Sequence, residues 1–164
     1  MREWTRRPPE IKYLLNPAFC AQIVYAAIIE YNKRSKRNMP LALIYLILPL
    51  SLHKETRERI KTKSRITLIN WALSNQSVLL GFPQRTKGLI EITNEAIEFL
   101  MCSGLIHITD NGGFEKRTGA EDINKTSYIS AEIKDCVDKA VYIAKWFANA
   151  GAIENIYTCL GVRP

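Results

Sequence analysis

Residues 41–52 read Leu-Ala-Leu-Ile-Tyr-Leu-Ile-Leu-Pro-Leu-Ser-Leu, a run that is apolar on every side rather than along one stripe. A segment of this kind has to be surrounded, by its own chain or by a partner, because no face of it favours water. It is 12 residues long with Pro49 inside it, well short of the ~20 needed to cross a bilayer. Periodicity does not choose between helix and strand where nearly every position is apolar. Pro40 suits the first position of a helix, and Pro49 lacks an N–H and clashes with the preceding turn. The segment is therefore expected to be a short buried helix that kinks or stops near Leu48.

The rest of the chain supplies what such a helix needs around it. With 164 residues, 47% of them apolar and 24% charged, residues 1–164 are expected to form one domain around one core. Asn16 and Pro17 mark the start of a helix to about Ser35, whose Phe19, Ile23, Val24, Ala27, Ile28 and Tyr31 recur at helical spacing. A polar helix is expected over residues 54–60, and another from Ile66 to about Ser74 with Ile66, Ile69, Leu73 and Trp71 on its apolar side. Pro83 opens a further helix that carries Leu89, Ile90, Thr93, Ala96, Ile97, Leu100 and Met101, and Gly104 stands where a left-handed cap belongs. The period then changes from 3.6 to 2: Leu105 to Thr109 alternates, Asp110-Asn111-Gly112-Gly113 is a turn, and Phe114 to Arg117 returns as a second strand. A helix from about Tyr128 to Ala150 and a short one from Ala152 to Leu160, closed by Gly161, complete a fold that is mainly α (α+β), a helical domain with one two-stranded hairpin over about 105–117. A helix followed by a hairpin is also the order of a winged helix.

Chemistry is sparsely represented. Acid–base or nucleophilic catalysis needs converging groups, and the only histidines are His53 and His107, far apart in sequence. Cys20, Cys102, Cys136 and Cys159 are scattered, with neither disulfide-scaffold nor metal-ligand spacing. No glycine-rich phosphate loop is present. No enzymatic activity, cofactor or metal is expected, and with no targeting signal or membrane span the protein is expected to be cytoplasmic.

Charge is more informative. The net charge is +7, but residues 1–65 hold 14 Lys and Arg against 5 Asp and Glu, so the basic character belongs to the first two-fifths. Lys33, Arg34, Lys36 and Arg37 form one cluster, and Arg57, Arg59, Lys61, Lys63 and Arg65 a second. Either could neutralise phosphates in duplex DNA, or simply be a solvated surface. Glu91, Glu95 and Glu98 on the helix before the hairpin oppose the groove reading that a winged helix makes with that element. At the carboxyl end, Trp146, Phe147, Tyr157 and the run Leu160-Gly161-Val162-Arg163-Pro164 are too apolar for a solvated tail; they dock on the chain's own core or on a partner.

Several of these segments, taken in order, resemble a known family. Arg7-Pro8-Pro9-Glu10, Leu15-Asn16-Pro17-Ala18-Phe19, Met39-Pro40-Leu41 through Leu48-Pro49-Leu50, His53-Lys54-Glu55-Thr56-Arg57 and the closing Leu160 to Pro164 are similar to the middle component of ABC-three-component systems, bacterial operons related to the Lamassu anti-phage defences. The resemblance implies a non-catalytic accessory subunit that bridges an SMC/Rad50-like ATPase and an effector with nuclease or other toxic activity, and it transfers no catalytic residue. Leu41, Ile44, Tyr45, Leu48, Trp146, Val162 and Arg163 are then candidates for partner contact, and Lys33, Arg34, Lys36, Arg37, Lys61, Lys63 and Arg65 for contact with DNA. The alternative is a small winged-helix DNA-binding protein or transcriptional regulator. At 164 residues the chain is expected to leave ATPase and effector activities to its partners.

Overall fold

The computed structural model describes residues 15–123 and 130–163. The motif at residues 7–10, the first residues of the helix expected from Tyr128, and Pro164 lie outside them.

Helix α1 (Pro17–Ser35) begins where the sequence marks it. Asn16 Oδ1 accepts from the Ala18 N–H at 2.9 Å, and Pro17 occupies the first turn. It ends at Lys36, whose left-handed φ of 58° lets its N–H reach the Asn32 carbonyl. Its middle is buried on all sides rather than along one stripe: Cys20, Ala21 and every residue from Ile23 to Ile28 are inside, while Phe19 is only half-buried. The reason is its position, with α7 (Ile90–Cys102) and α8 (Ala131–Asn149) both packed against it. Alanines 21, 26 and 27 let those neighbours approach closely.

Strand β1 (Met39–Pro40) was not foreseen in the sequence. It leads directly into α2 (Leu41–Leu52), so Pro40 precedes the helix instead of opening it. Helix α2 does not stop at Leu48. It runs through Pro49 because its last turn is closed by side chains: Ser51 Oγ donates to the Ile47 carbonyl at 2.8 Å, and Arg57 Nη1 donates to the carbonyls of Ser51 and Leu52 at 3.2 and 3.0 Å. Helices α1, α8 and α6 (Phe82–Gly88) surround it.

Between α2 and α6 lie α3 (Lys54–Arg59), α4 (Leu68–Ser74) and α5 (Gln76–Leu79). Helix α4 buries Trp71 as expected but turns Ile69 and Leu73 away from the core. Leu68, Trp71 and Ala72 are buried, whereas Ile69 and Leu73 face outward. Trp71 decides this: its ring packs on Trp146 of α8 (centroids 5.3 Å apart), which in turn meets Tyr142 edge-on at 5.0 Å. The two indole N–H groups donate to the carbonyls of Arg59 and Ile66, fastening the loop between α3 and α4 along α8.

The helix expected from Pro83 to Met101 is two, α6 and α7, broken at Leu89. Gly88 weakens the helix there, and Thr86 and Thr93 return their hydroxyls to the carbonyls four residues back, which bends helices. Helix α7 ends as the sequence indicates: Gly104 has φ 68°, its N–H bonds to Met101, and the Leu105 N–H bonds to Leu100. The hairpin follows as β2 (Ile106–Ile108) and β3 (Gly113–Lys116), and β1 pairs with the outer side of β3, giving an antiparallel sheet of order β1–β3–β2. Gly113 is required by this pairing, since a Cβ there would lie 2.6 Å from the Cβ of Asn38. Ser130 is extended and caps α8 through the Ile133 N–H, so that helix starts at Ala131, three residues later than expected. Helix α9 (Ile153–Cys159) closes at Gly161, and the Val162 N–H bonds to Tyr157.

Arg57 joins the two halves of the chain. Only 4% exposed, it donates from Nε to Asp135 Oδ2 at 2.9 Å and from Nη2 to Glu132 Oε1 at 2.8 Å, both on α8, while Nη1 closes α2. Replacing Arg57 by Met keeps the volume and removes every donor, leaving two helix-end carbonyls unmatched in a buried place. Thermal unfolding of Arg57→Met is expected to show a loss of about 3 kcal/mol, roughly 6–12 °C in Tm.

His53 sits beside this clamp as the cap of α3, its Nδ1 accepting the Thr56 N–H. Burial, and then the nearby cations Arg85 and Arg57, hold its pKa below the ordinary 6.5, with Glu55 opposing. The folded protein thus binds this proton less readily than the unfolded chain. The stabilisation is complete above pH 6.5 and declines as pH falls from there through the lower folded-state value. Urea unfolding between about pH 7.5 and about pH 5 is expected to show a smaller loss of stability for His53→Asn, which keeps the cap but does not titrate, than for the parent chain.

Candidate interaction surface

The expected site residues fall into three groups. Ile44 and Leu48 are fully buried in α2, and Trp146 is 5% exposed and hydrogen-bonded to Ile66, so these three belong to the interior, and the reading of the apolar segment as a core helix is the one the structure gives. The basic residues do remain outside. Arg34 is paired with Glu30 at 2.7 Å, whereas Lys33, Lys36, Arg37, Lys61, Lys63 and Arg65 are exposed and make no ion pair with another described residue. They are not one cluster. The α1 end lies by the hairpin, to which Asn32 and Asn38 tie it through the Phe114 carbonyl and Thr109, whereas the loop of Lys61 to Arg65 lies along α8, held by Ser64 on Tyr142. Arg57 drops out as a phosphate ligand because it is buried, and Arg59 is engaged by Glu55.

The third group converges. Tyr45, Val162 and Arg163, on α2 and the carboxyl-terminal segment, line a single cleft of about 540 Å³ with Lys87 and Ile90. Leu41, 37% exposed, sits at the start of the same helix. The floor is fixed by two bonds, Tyr157 Oη to the Ala42 carbonyl at 2.7 Å and Tyr45 Oη to Asn94 at 2.7 Å. Pro83 and Gly161 also line a second cleft of about 320 Å³, between α4, α5 and the end of α9, so the two are neighbours.

The second cleft holds three of the large apolar side chains that the fold leaves outside: Ile69, Leu73 and Leu80, exposed by 46%, 64% and 77%. Leu80 is held out rather than loose. Arg85 donates to the Leu80 and Val78 carbonyls at 3.0 and 2.6 Å and lies over the Phe82 ring, and Gly81 takes the left-handed φ of 71° that turns the chain into α6. Burial lowers the Arg85 pKa below its ordinary value, and it stays charged. Sequence reasoning missed this surface by assigning Ile69 and Leu73 to the core. Leu68 and Ala72, which share helical spacing with the expected Trp71, were the available signal.

Other groups do not assemble into reactive chemistry. Burial pushes the Cys20 thiol up to about 12 and raises Cys136 and Cys159, the opposite of an activated cysteine. His107 lies across from Glu115 in the hairpin at 3.2 Å. Among the described residues, no group of His, Cys, Asp and Glu is placed to hold a metal ion, and no helix is long and apolar enough to cross a membrane.

A mainly helical α+β fold with two adjoining clefts on its surface is the class that fold and site define. The family model for the ABC-three component (ABC-3C) system Middle Component 3 matches residues 4–164, and the chain belongs to that family. No curated protein and no solved structure matches it.

Because the cleft side chains support little of the fold, Leu73→Ser with Leu80→Ser is expected to leave stability within about 0.5 kcal/mol of the parent and to reduce binding of a hydrophobic fluorescent dye. Ile44→Ala, in the core, is expected to lose about 2–5 kcal/mol in the same denaturation experiment.

Proposed function

We propose that the chain is a non-catalytic assembly subunit of a bacterial anti-phage or anti-plasmid defence complex, bridging an SMC/Rad50-like ATPase and an effector with nuclease activity. The observation that carries this reading is the match of residues 4–164 to a middle-component family, whose very description implies protein partners. The architecture supports it. Element order α1, β1, α2, then α7, β2, β3, with the first strand paired to the last, suits a winged-helix-like core with residues 53–89 inserted. On α7, the helix such a core would offer to a DNA groove, Glu91, Glu98, Phe99 and Met101 are exposed. Carboxylates and apolar side chains there favour protein contact over phosphate contact.

A second reading, a small winged-helix DNA-binding protein or transcriptional regulator, is favoured by the exposed cations Lys33, Lys36 and Arg37 beside the hairpin. The experiment that separates the two has two arms. Co-expression with the ATPase and effector of its own system is expected to yield a complex that survives gel filtration, and a chain that elutes alone from both would overturn the assembly role. The isolated chain is expected to leave duplex DNA unshifted at low salt. A shift that Lys33→Glu, Lys36→Glu and Arg37→Glu together abolish, and that falls steeply with salt, would establish the second reading.

A further inference from the structure

We infer that the paired cleft is the seat for an amphipathic helix of another component of the same system, one whose apolar face is flanked by acidic side chains. This inference rests on the assembly role proposed above and names the site and the chemistry of its occupant.

Three observations carry it. Helices and their links, not a free strand edge, form the second cleft, so an incoming segment finds no backbone ladder to extend and must be recognised through side chains. The two clefts meet at Pro83 and Gly161, and Leu73 and Leu80 flank one while Ile90 and Val162 line the other. Two adjoining apolar depressions suit anchors projected from successive turns of one helix face. The third observation is charge. Among the described residues, no carboxylate lines either cleft, and Lys87 and Arg163, both exposed, stand at the first. A partner with acidic flanks would pair these cations and orient on them.

The same observation argues against a second copy of this chain as the occupant. A two-fold contact places a surface against itself, and this surface would bring Lys87 and Arg163 to a copy whose described lining residues offer no carboxylate in return. A basic segment is disfavoured for the same reason.

The test titrates the full chain against the ATPase and effector components of its own system, each purified singly, by biolayer interferometry. Three variants are used, all at exposed positions and checked by circular dichroism: Leu73→Asp with Leu80→Asp in the cleft, Lys87→Glu with Arg163→Glu at its edge, and Ile108→Asp on β2 as an exposed apolar control. The cleft variant is expected to weaken binding of one component at least about tenfold, the edge variant to weaken it about fivefold and flatten its salt dependence, and the control to change it less than about twofold. Hydrogen exchange on the bound component is expected to protect a helical segment rich in Asp and Glu. Binding that the cleft variant leaves intact would overturn the inference while sparing the assembly role, as would tighter binding by the edge variant. Dimerisation of the chain alone that the cleft variant abolishes would assign the surface to a second copy. Failure of the parent chain to bind either component would overturn both.

Discussion

The Arg57 guanidinium is the interaction on which the arrangement of the helices depends. It is buried, yet it faces two helix-end carbonyls of α2 and two carboxylates of α8, so each side of its planar fork meets an acceptor. The carboxylates themselves are substantially solvated, with Glu132 at 72% and Asp135 at 45% side-chain exposure. That asymmetry matters energetically. An ion pair buried on both sides commonly gains little over an apolar substitute, but here only the cation is desolvated, and its bonds to the orphan carbonyls of α2 satisfy groups that would otherwise be buried without partners. The apolar α2 can therefore continue through Pro49 to Leu52 and still end in the interior.

With α2 ended in this way, the rest of the packing follows. A helix without a polar face needs neighbours on all sides, and α1, α8 and α6 supply them. Helix α1 in turn is enclosed by α7 and α8, which is why a helix whose sequence suggests one buried stripe is buried around its whole middle. Residues 53–89 send Ile60, Leu68, Trp71, Val78 and Phe82 into the same interior. They are fastened there by the Trp71, Trp146 and Tyr142 rings on one side and by Arg85 on the Val78 and Leu80 carbonyls on the other. Ile69, Leu73 and Leu80 face away from these attachments and stay exposed.

What could be read in the sequence follows from how local each determinant is. The caps at Asn16, Gly104 and Gly161 and the turn at residues 110–113 are set by a few adjacent residues, and they stand where those residues indicate. Strand β1 is two residues long and exists only because β3 passes beside it, so nothing within Met39-Pro40 announces it. The outward turn of Ile69 and Leu73 is likewise a tertiary decision: two helical stripes were available in α4, and the indole of Trp71, with Trp146 to stack on and a carbonyl to bond, took the inner side. Of the candidate partner residues, Ile44, Leu48 and Trp146 proved internal because apolar character alone does not distinguish a core from an interface. Tyr45, Val162 and Arg163 line one cleft because α9 docks on α2, through a Tyr157 to Ala42 bond that spans more than a hundred residues of sequence.

The distribution of charge sharpens what each surface can accept. The basic excess of the first 65 residues is reduced at the site of greatest interest, since Arg57 is internal and Arg34 and Arg59 are paired within their own helices. Among the described residues, Lys33, Lys36 and Arg37 lie on the hairpin side of α1, and Lys61, Lys63 and Arg65 in the loop along α8. The cleft at α4 to α9 is a third place, apolar with cations only at its edge, and it differs in kind from the other two. The described surface thus carries two kinds of exposed face, basic and apolar, around one core, and the packing of that core comes back to α2 and the arginine that ends it.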